Sequence, residues 1–169
     1  MRWLKLLVSW IQKRGCDQYW LGEAAHWELT SPADYSKFFR MVTQILPQGC
    51  VLYVEGTSIA PEIRAFLEPR KTDRIRSVVR GTILPRPECF HILATQENMA
   101  EFARLASLHA RPEVCDHLVI YGDEDRYVEW YDALSTSPVS VSELVPEATV
   151  REFCQALGCS FVHVRQSKD

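Results

Sequence analysis

No stretch of this 169-residue sequence approaches the ~20 consecutive apolar residues that a membrane-crossing helix needs, which argues against a helical span. A phosphate-cradling G-x-x-x-x-G-K-[ST] run is missing, so a nucleotide P-loop is not expected. Also missing is G-x-S-x-G. The nearest approach, Gly56-Thr57-Ser58-Ile59-Ala60, carries alanine where the second glycine belongs. The six cysteines, Cys16, Cys50, Cys89, Cys115, Cys154 and Cys159, form no C-x-x-C pair and no Cys/His zinc spacing. Several lie in apolar runs, which points to reduced, buried thiols and a cytoplasmic protein. Net charge is only −3, so general attraction to nucleic acid is not expected. There is no internal repeat, low-complexity tract or linker, and the length suits one domain spanning 1–169. No catalytic residue, metal-ligand set or cofactor is assigned.

What the sequence does contain is organised around residues 50–68, CVLYVEGTSIAPEIRAFLE. Residues 50–54 form a short apolar run with two valines and a tyrosine, which favours a buried strand. Ile59, Ile63, Phe66 and Leu67 then recur at helical spacing, with Ser58 as the expected N-cap and Pro61 in the first turn. The Gly-Thr-Ser turn between them places backbone N–H groups and two hydroxyls at a helix N-terminus, a place that can hold an anion. A capped connection without a ligand accounts for the same residues.

Residues 2–14 read as an amphipathic helix with Trp3, Leu4, Leu7, Val8 and Ile11 on one face. It can pack on its own core, pair two copies of the chain or lie on a membrane surface. Its interrupting Lys5, and the Gln12-Lys13-Arg14 that follows, argue against a secretory signal. Residues 15–30 follow neither period. Residues 31–46 read as the clearest helix, capped by Ser31 and carrying Tyr35, Phe38, Phe39, Val42, Ile45 and Leu46 as a core stripe. Strands are expected at 75–84, 90–95, 117–121, 126–132, 139–141 and 160–164, with helices at 96–109 and 146–157. A hairpin should turn at 122–125. Residues 165–169 are a polar tail. The expected architecture is α/β or α+β: a single domain with a mixed sheet of about five to seven strands and helices packed on it.

Three readings of function follow. The preferred one is a non-catalytic cytoplasmic binding or interaction protein with a protein partner. Its recognition surface is Asp123, Glu124, Asp125, Tyr127, Trp130 and Tyr131, where aromatics stand among acids; the same aromatics could instead face the core. A homodimer would use the N-terminal helix. The second is a small metal- or phosphate-dependent hydrolase. Were the strands parallel neighbours, Glu55, Thr57, Ser58 and Asp123 would converge beyond their carboxyl ends, with Thr95 and Gln96 nearby. The third is an RNA-associated protein acting through Arg70, Lys71, Arg74, Arg76, Arg80 and Arg86. Aromatic side chains are not interleaved with these cations, so the stacking half of such a surface is missing.

Overall fold

The structure, a computed structural model, describes residues 24–75, 78, 80–82 and 84–165. The expected helix at 2–14, Cys16, most of the 15–30 segment and the tail beyond Arg165 lie outside the described residues. The described chain forms one seven-stranded sheet with helices packed on it, an α/β fold as expected. The strands are β1 (His26–Leu29), β2 (Val51–Gly56), β3 (Glu88–Leu93), β4 (His117–Tyr121), β5 (Arg126–Trp130), β6 (Val139–Ser142) and β7 (Phe161–Val164). Their spatial order is β3-β2-β4-β5-β6-β1-β7. Every pairing among them is antiparallel, so the parallel pairs that a mixed sheet would include are not formed.

Two strands sit deepest. All six residues of β2 and all five of β4 are buried, as their near-continuous apolar sequence demands. The expected hairpin closes β4 onto β5, with Gly122 N–H donating to Asp125 O at 2.8 Å. A bulge follows at once: Ile120 pairs with Val128, but Tyr121 pairs with Arg126.

Five α-helices occur among the described residues: α1 (Tyr35–Val42), α2 (Pro61–Leu67), α3 (Gln96–Ala106), α4 (Arg111–Val114) and α5 (Glu147–Leu157). Helices α2, α3, α1 and α5 are laid side by side across one face of the sheet. Each presents an apolar stripe: Ile63, Phe66 and Leu67 from α2, Met99, Phe102 and Leu105 from α3, Phe38, Phe39 and Val42 from α1, Val150, Phe153 and Leu157 from α5. They meet Leu52, Val54, Phe90, Ile92, Leu118, Ile120, Val128, Trp130, Val139 and Val141 from alternate strand positions. Burial of each large apolar side chain here contributes about 1.5–3 kcal/mol before entropy is counted.

Two caps differ from expectation. Helix α1 begins at Asp34, whose Oδ1 accepts from Lys37 N–H at 2.8 Å. Ser31 instead donates to Ser135 O at 2.5 Å, tying the chain before α1 to the β5–β6 connection. Ser58 does not cap α2, which starts at Pro61 after Ala60; the Ala60 N–H donates to Glu113 O at 2.8 Å. Thr95 does cap α3, accepting from Asn98 N–H at 3.1 Å.

On the opposite face, β2 and β4 are covered by the described residues of 71–87, here called the strap. Lys71 bridges Ile92 and Thr72 N–H donates to His91 O at 2.9 Å, so the strap first covers the outer edge of β3. It then turns over β2 and β4, where Val78 packs against Val51, Tyr53, Val119 and Tyr121. The strand expected at 75–84 is not formed at the described positions 75, 78, 80–82 and 84; residues 76, 77, 79 and 83 lie outside the described residues.

Candidate functional site

Alternation along β2 sends Tyr53 and Glu55 to the strap face, away from the helices. Glu55 is 0% exposed, and both of its oxygens are occupied. Oε1 accepts from Thr82 N–H at 2.7 Å. Oε2 accepts from the Tyr53 hydroxyl at 2.7 Å and from Gly81 N–H at 3.2 Å. A buried carboxylate is tolerable only with such partners, and charge-assisted bonds are the strong kind. Glu55 therefore clamps the strap to the sheet. Burial first, and then the neighbouring Cys89 and Glu55, push the Tyr53 hydroxyl far above its ordinary range, so it stays protonated and donates.

His117 supports the same crossing. Its Nδ1 accepts from Asp132 N–H at 3.0 Å, and its ring lies 5.2 Å from that of Tyr131. Gly81 rests on this imidazole: a β-carbon there would stand 2.3 Å from His117 Cδ2, so only glycine fits without displacement. Further along, the β5 bulge sets Arg126 beside Glu129, and Arg126 Nη1 donates to Glu129 Oε1. This pair is 8% and 3% exposed. Arg126 Nη2, also buried, has no hydrogen-bond partner among the described residues. On β3, His91 Nδ1 and the Tyr121 hydroxyl are hydrogen-bonded at 2.8 Å. Burial lowers the His91 ring to about 4, so it is neutral at physiological pH.

The turn after β2 is likewise filled from within. Thr57 donates its N–H and its hydroxyl to Asp116 Oδ2 at 2.7 and 2.8 Å. The anion held at the Gly-Thr-Ser turn is a side chain of the protein itself. Ser58 is exposed and stands outside this contact.

The expected convergence of Glu55 with Asp123 does not occur. Because β2 and β4 are antiparallel, Glu55 pairs with His117, and Val51 pairs with Tyr121, which leads to Asp123. The four-residue offset from Glu55 to Val51 places the two carboxylates at opposite ends of the sheet, more than ~13 Å apart along the strands. Asp123 instead pairs with Arg74 at 2.5 Å, both side chains being largely exposed. Arg74, Gly49, Cys50, Thr95 and Gln96 line a cavity of about 530 Å³ at this end.

The aromatic members of the expected recognition surface do not stand together in solvent. Trp130 is 0% exposed and lies against Tyr35 and Phe38 on the helix face, its Nε1–H donating to Ser137 O at 3.1 Å. Tyr127 and Tyr131 are half-buried, leaving Asp123 and Glu124 as the exposed hairpin tip with Asp125 half-buried beside them. Of the six expected cations, Arg76 lies outside the described residues, Arg80 and Arg86 are exposed, and the other three have partners within the chain. Arg70 stacks on Phe66, Lys71 pairs with Glu68, and Arg74 is held at the hairpin. Cys115 is buried, and burial pushes its thiol far up, which removes it as a nucleophile. No cluster of three or more His, Cys, Asp or Glu side chains suited to a metal occurs among the described residues. No described helix is long and apolar enough to cross a membrane.

The sequence alone did not point to Asp116, to the pairing of Arg126 with Glu129 or to the strap's grip on Glu55. One signal was available: Tyr53 and Glu55 occupy alternate positions of an apolar strand, so they share a face. The chain matches no protein-family model, and comparison with curated proteins and with solved structures finds no significant similarity. What fold and site define is a class: an antiparallel sheet with helices on one face and, on the other, a strap held by a buried carboxylate.

Proposed function

We propose that this protein is a non-catalytic cytoplasmic interaction module that engages a basic partner through the β4–β5 hairpin tip. The observation that carries the reading is the state of Glu55, the carboxylate otherwise best suited to chemistry: it is closed off from solvent, and each of its oxygens already accepts from a donor of the protein itself. A general base or metal ligand needs a free lone pair directed at a reacting atom. The acidic charge left to solvent at the tip includes Glu124, beside an Asp123 held in place by Arg74. A cytoplasmic setting fits the five described cysteines, which are free thiols. A homodimer would dock through residues 2–14.

The test is a titration of the protein with a fluorescent Lys/Arg-rich peptide, beside thermal-shift runs with divalent metals, nucleotides, phosphate and an RNA oligonucleotide. The reading expects salt-sensitive peptide binding that Glu124→Lys weakens about fivefold or more. It expects no stabilisation by metal, nucleotide or RNA. Peptide affinity unchanged by Glu124→Lys would overturn it. A metal or phosphate shift would favour the hydrolase, and an RNA shift the RNA-associated protein.

A further inference from the structure

The helix α5 ends in a Schellman turn, and the two residues that such a turn brings together are both cysteines. Gly158 adopts φ +70°, the left-handed conformation that glycine accepts without strain. Gly158 N–H donates to Gln155 O at 3.3 Å, and Cys159 N–H reaches back to Cys154 O at 3.0 Å. This is the pattern in which the side chains three residues inside the helix end and two residues beyond it lie against each other. The Cys159-to-Cys154 bond also confines the two α-carbons to within about 7 Å, the reach a disulfide requires. Cys154 is buried, whereas Cys159 is partly open to solvent.

We infer that Cys154 and Cys159 form a reversible dithiol–disulfide site, oxidised by low-molecular-weight disulfides. The spacing C-x-x-x-x-C is not a familiar redox signature; the helix end makes it one. The electrostatics run the same way. Contact with Cys154 lowers the Cys159 thiol, and contact with Cys159, followed by burial, raises Cys154. Cys159 is thus the attacking thiolate and Cys154 the resolving thiol. In the first step Cys159 Sγ attacks one sulfur of the small disulfide. The S–S bond breaks, and one thiolate leaves. In the second step Cys154 Sγ, giving up its proton, attacks Cys159 Sγ and expels the second thiolate. Two cysteine thiols are oxidised, one external disulfide is reduced to two thiols, and the electrons balance. Because the second attack is internal, burial of Cys154 does not block it. Closure joins the end of α5 to the residues that lead directly into β7.

The experiment equilibrates the full chain with glutathione disulfide, blocks remaining thiols by alkylation and digests with trypsin. Cleavage after Arg151 and Arg165 leaves both cysteines in one peptide, and Cys16, Cys50, Cys89 and Cys115 in others. The expected product is that peptide lighter by two hydrogens, unalkylated, and returned to the dithiol by dithiothreitol. Cys154→Ala should convert it to a stable glutathione adduct on Cys159, and Cys159→Ser should leave Cys154 free to be alkylated after denaturation. Full alkylation of both cysteines in the oxidised wild type would overturn the inference. So would a persistent wild-type adduct, or a cross-link from either cysteine to Cys16. The readout is the mass of a single peptide, so it stands apart from the hairpin-tip proposal.

Discussion

On the helix face of the sheet, Phe38, Phe39, Phe102, Trp130 and the strand aliphatics exclude water by close packing of apolar surface. On the strap face, a cluster of Val51, Tyr53, Val119 and Tyr121 is ringed by Glu55, His91, His117, Arg126 and Glu129, and closure depends on which donor meets which acceptor. The first kind of closure is non-directional and answers to volume. The second answers to pairing: it costs little when complete and much when one partner is lost. The same strands supply both, because alternate residues of β2 and β4 belong to different solvents.

The largest effect that would separate the faces is at Trp130. Trp130→Ala should cost about 4 kcal/mol, read as a lower urea midpoint with an unchanged slope, because it empties a large volume against Tyr35 and Phe38 and leaves Ser137 O without its indole donor. Glu129→Ala should cost about 3 kcal/mol by leaving the Arg126 charge buried without its carboxylate, although it removes far less volume. Replacing both Arg126 and Glu129 by Met should recover much of that loss. If the double variant is as unstable as Glu129→Ala, the strap face is governed by volume after all, and the contrast fails.

A smaller effect concerns pH. The folded His91 titrates at about 4, below the ordinary value of 6.5, so the unfolded chain takes up a proton first as pH falls. Its contribution is present above pH 6.5 and is lost progressively down to about pH 4. Solvent screening of the partly exposed ring reduces the expected change to about 1–2 kcal/mol. Urea midpoints between pH 7 and 4 should flatten in His91→Gln. The acidic side is distinguishable: the Glu88 carboxyl, held low by the Arg64 guanidinium, loses its contribution only as pH falls below the usual carboxylate range. The smallest effect should be at Arg74. Its exposed pair with Asp123 should contribute less than about 1 kcal/mol, and Arg74→Ala should move the midpoint little.

The helix face was largely legible in the sequence. The stripes at 35–46 and 146–157 and the apolar strand at 117–121 appear where periodicity puts them. The strap was not. Arg76, Val78, Arg80 and Thr82 alternate with residues of another character as an edge strand would, yet β2 is already flanked by β3 and β4. The outer edge of β3 is taken by Lys71, and what remains for the chain is the open face. Strand direction was equally hidden. Glu55 and Asp123 each follow an apolar strand, and only pairing shows that those strands run oppositely. Trp130 among acids resembled a recognition residue, but its register opposite Leu118 turns it to the helices.

The central claim is that the Glu55 carboxylate holds the strap to the sheet. Native-state hydrogen exchange in wild type and Glu55→Gln tests it most directly. Gln keeps the shape but presents an amide N–H₂ where an N–H acceptor is required. The account predicts that the Gly81 and Thr82 amides lose protection by about tenfold or more beyond any shared loss, while amides of β4 and α3 change only with global stability. Unchanged protection at Gly81 and Thr82 would contradict it and leave Glu55 without a structural role.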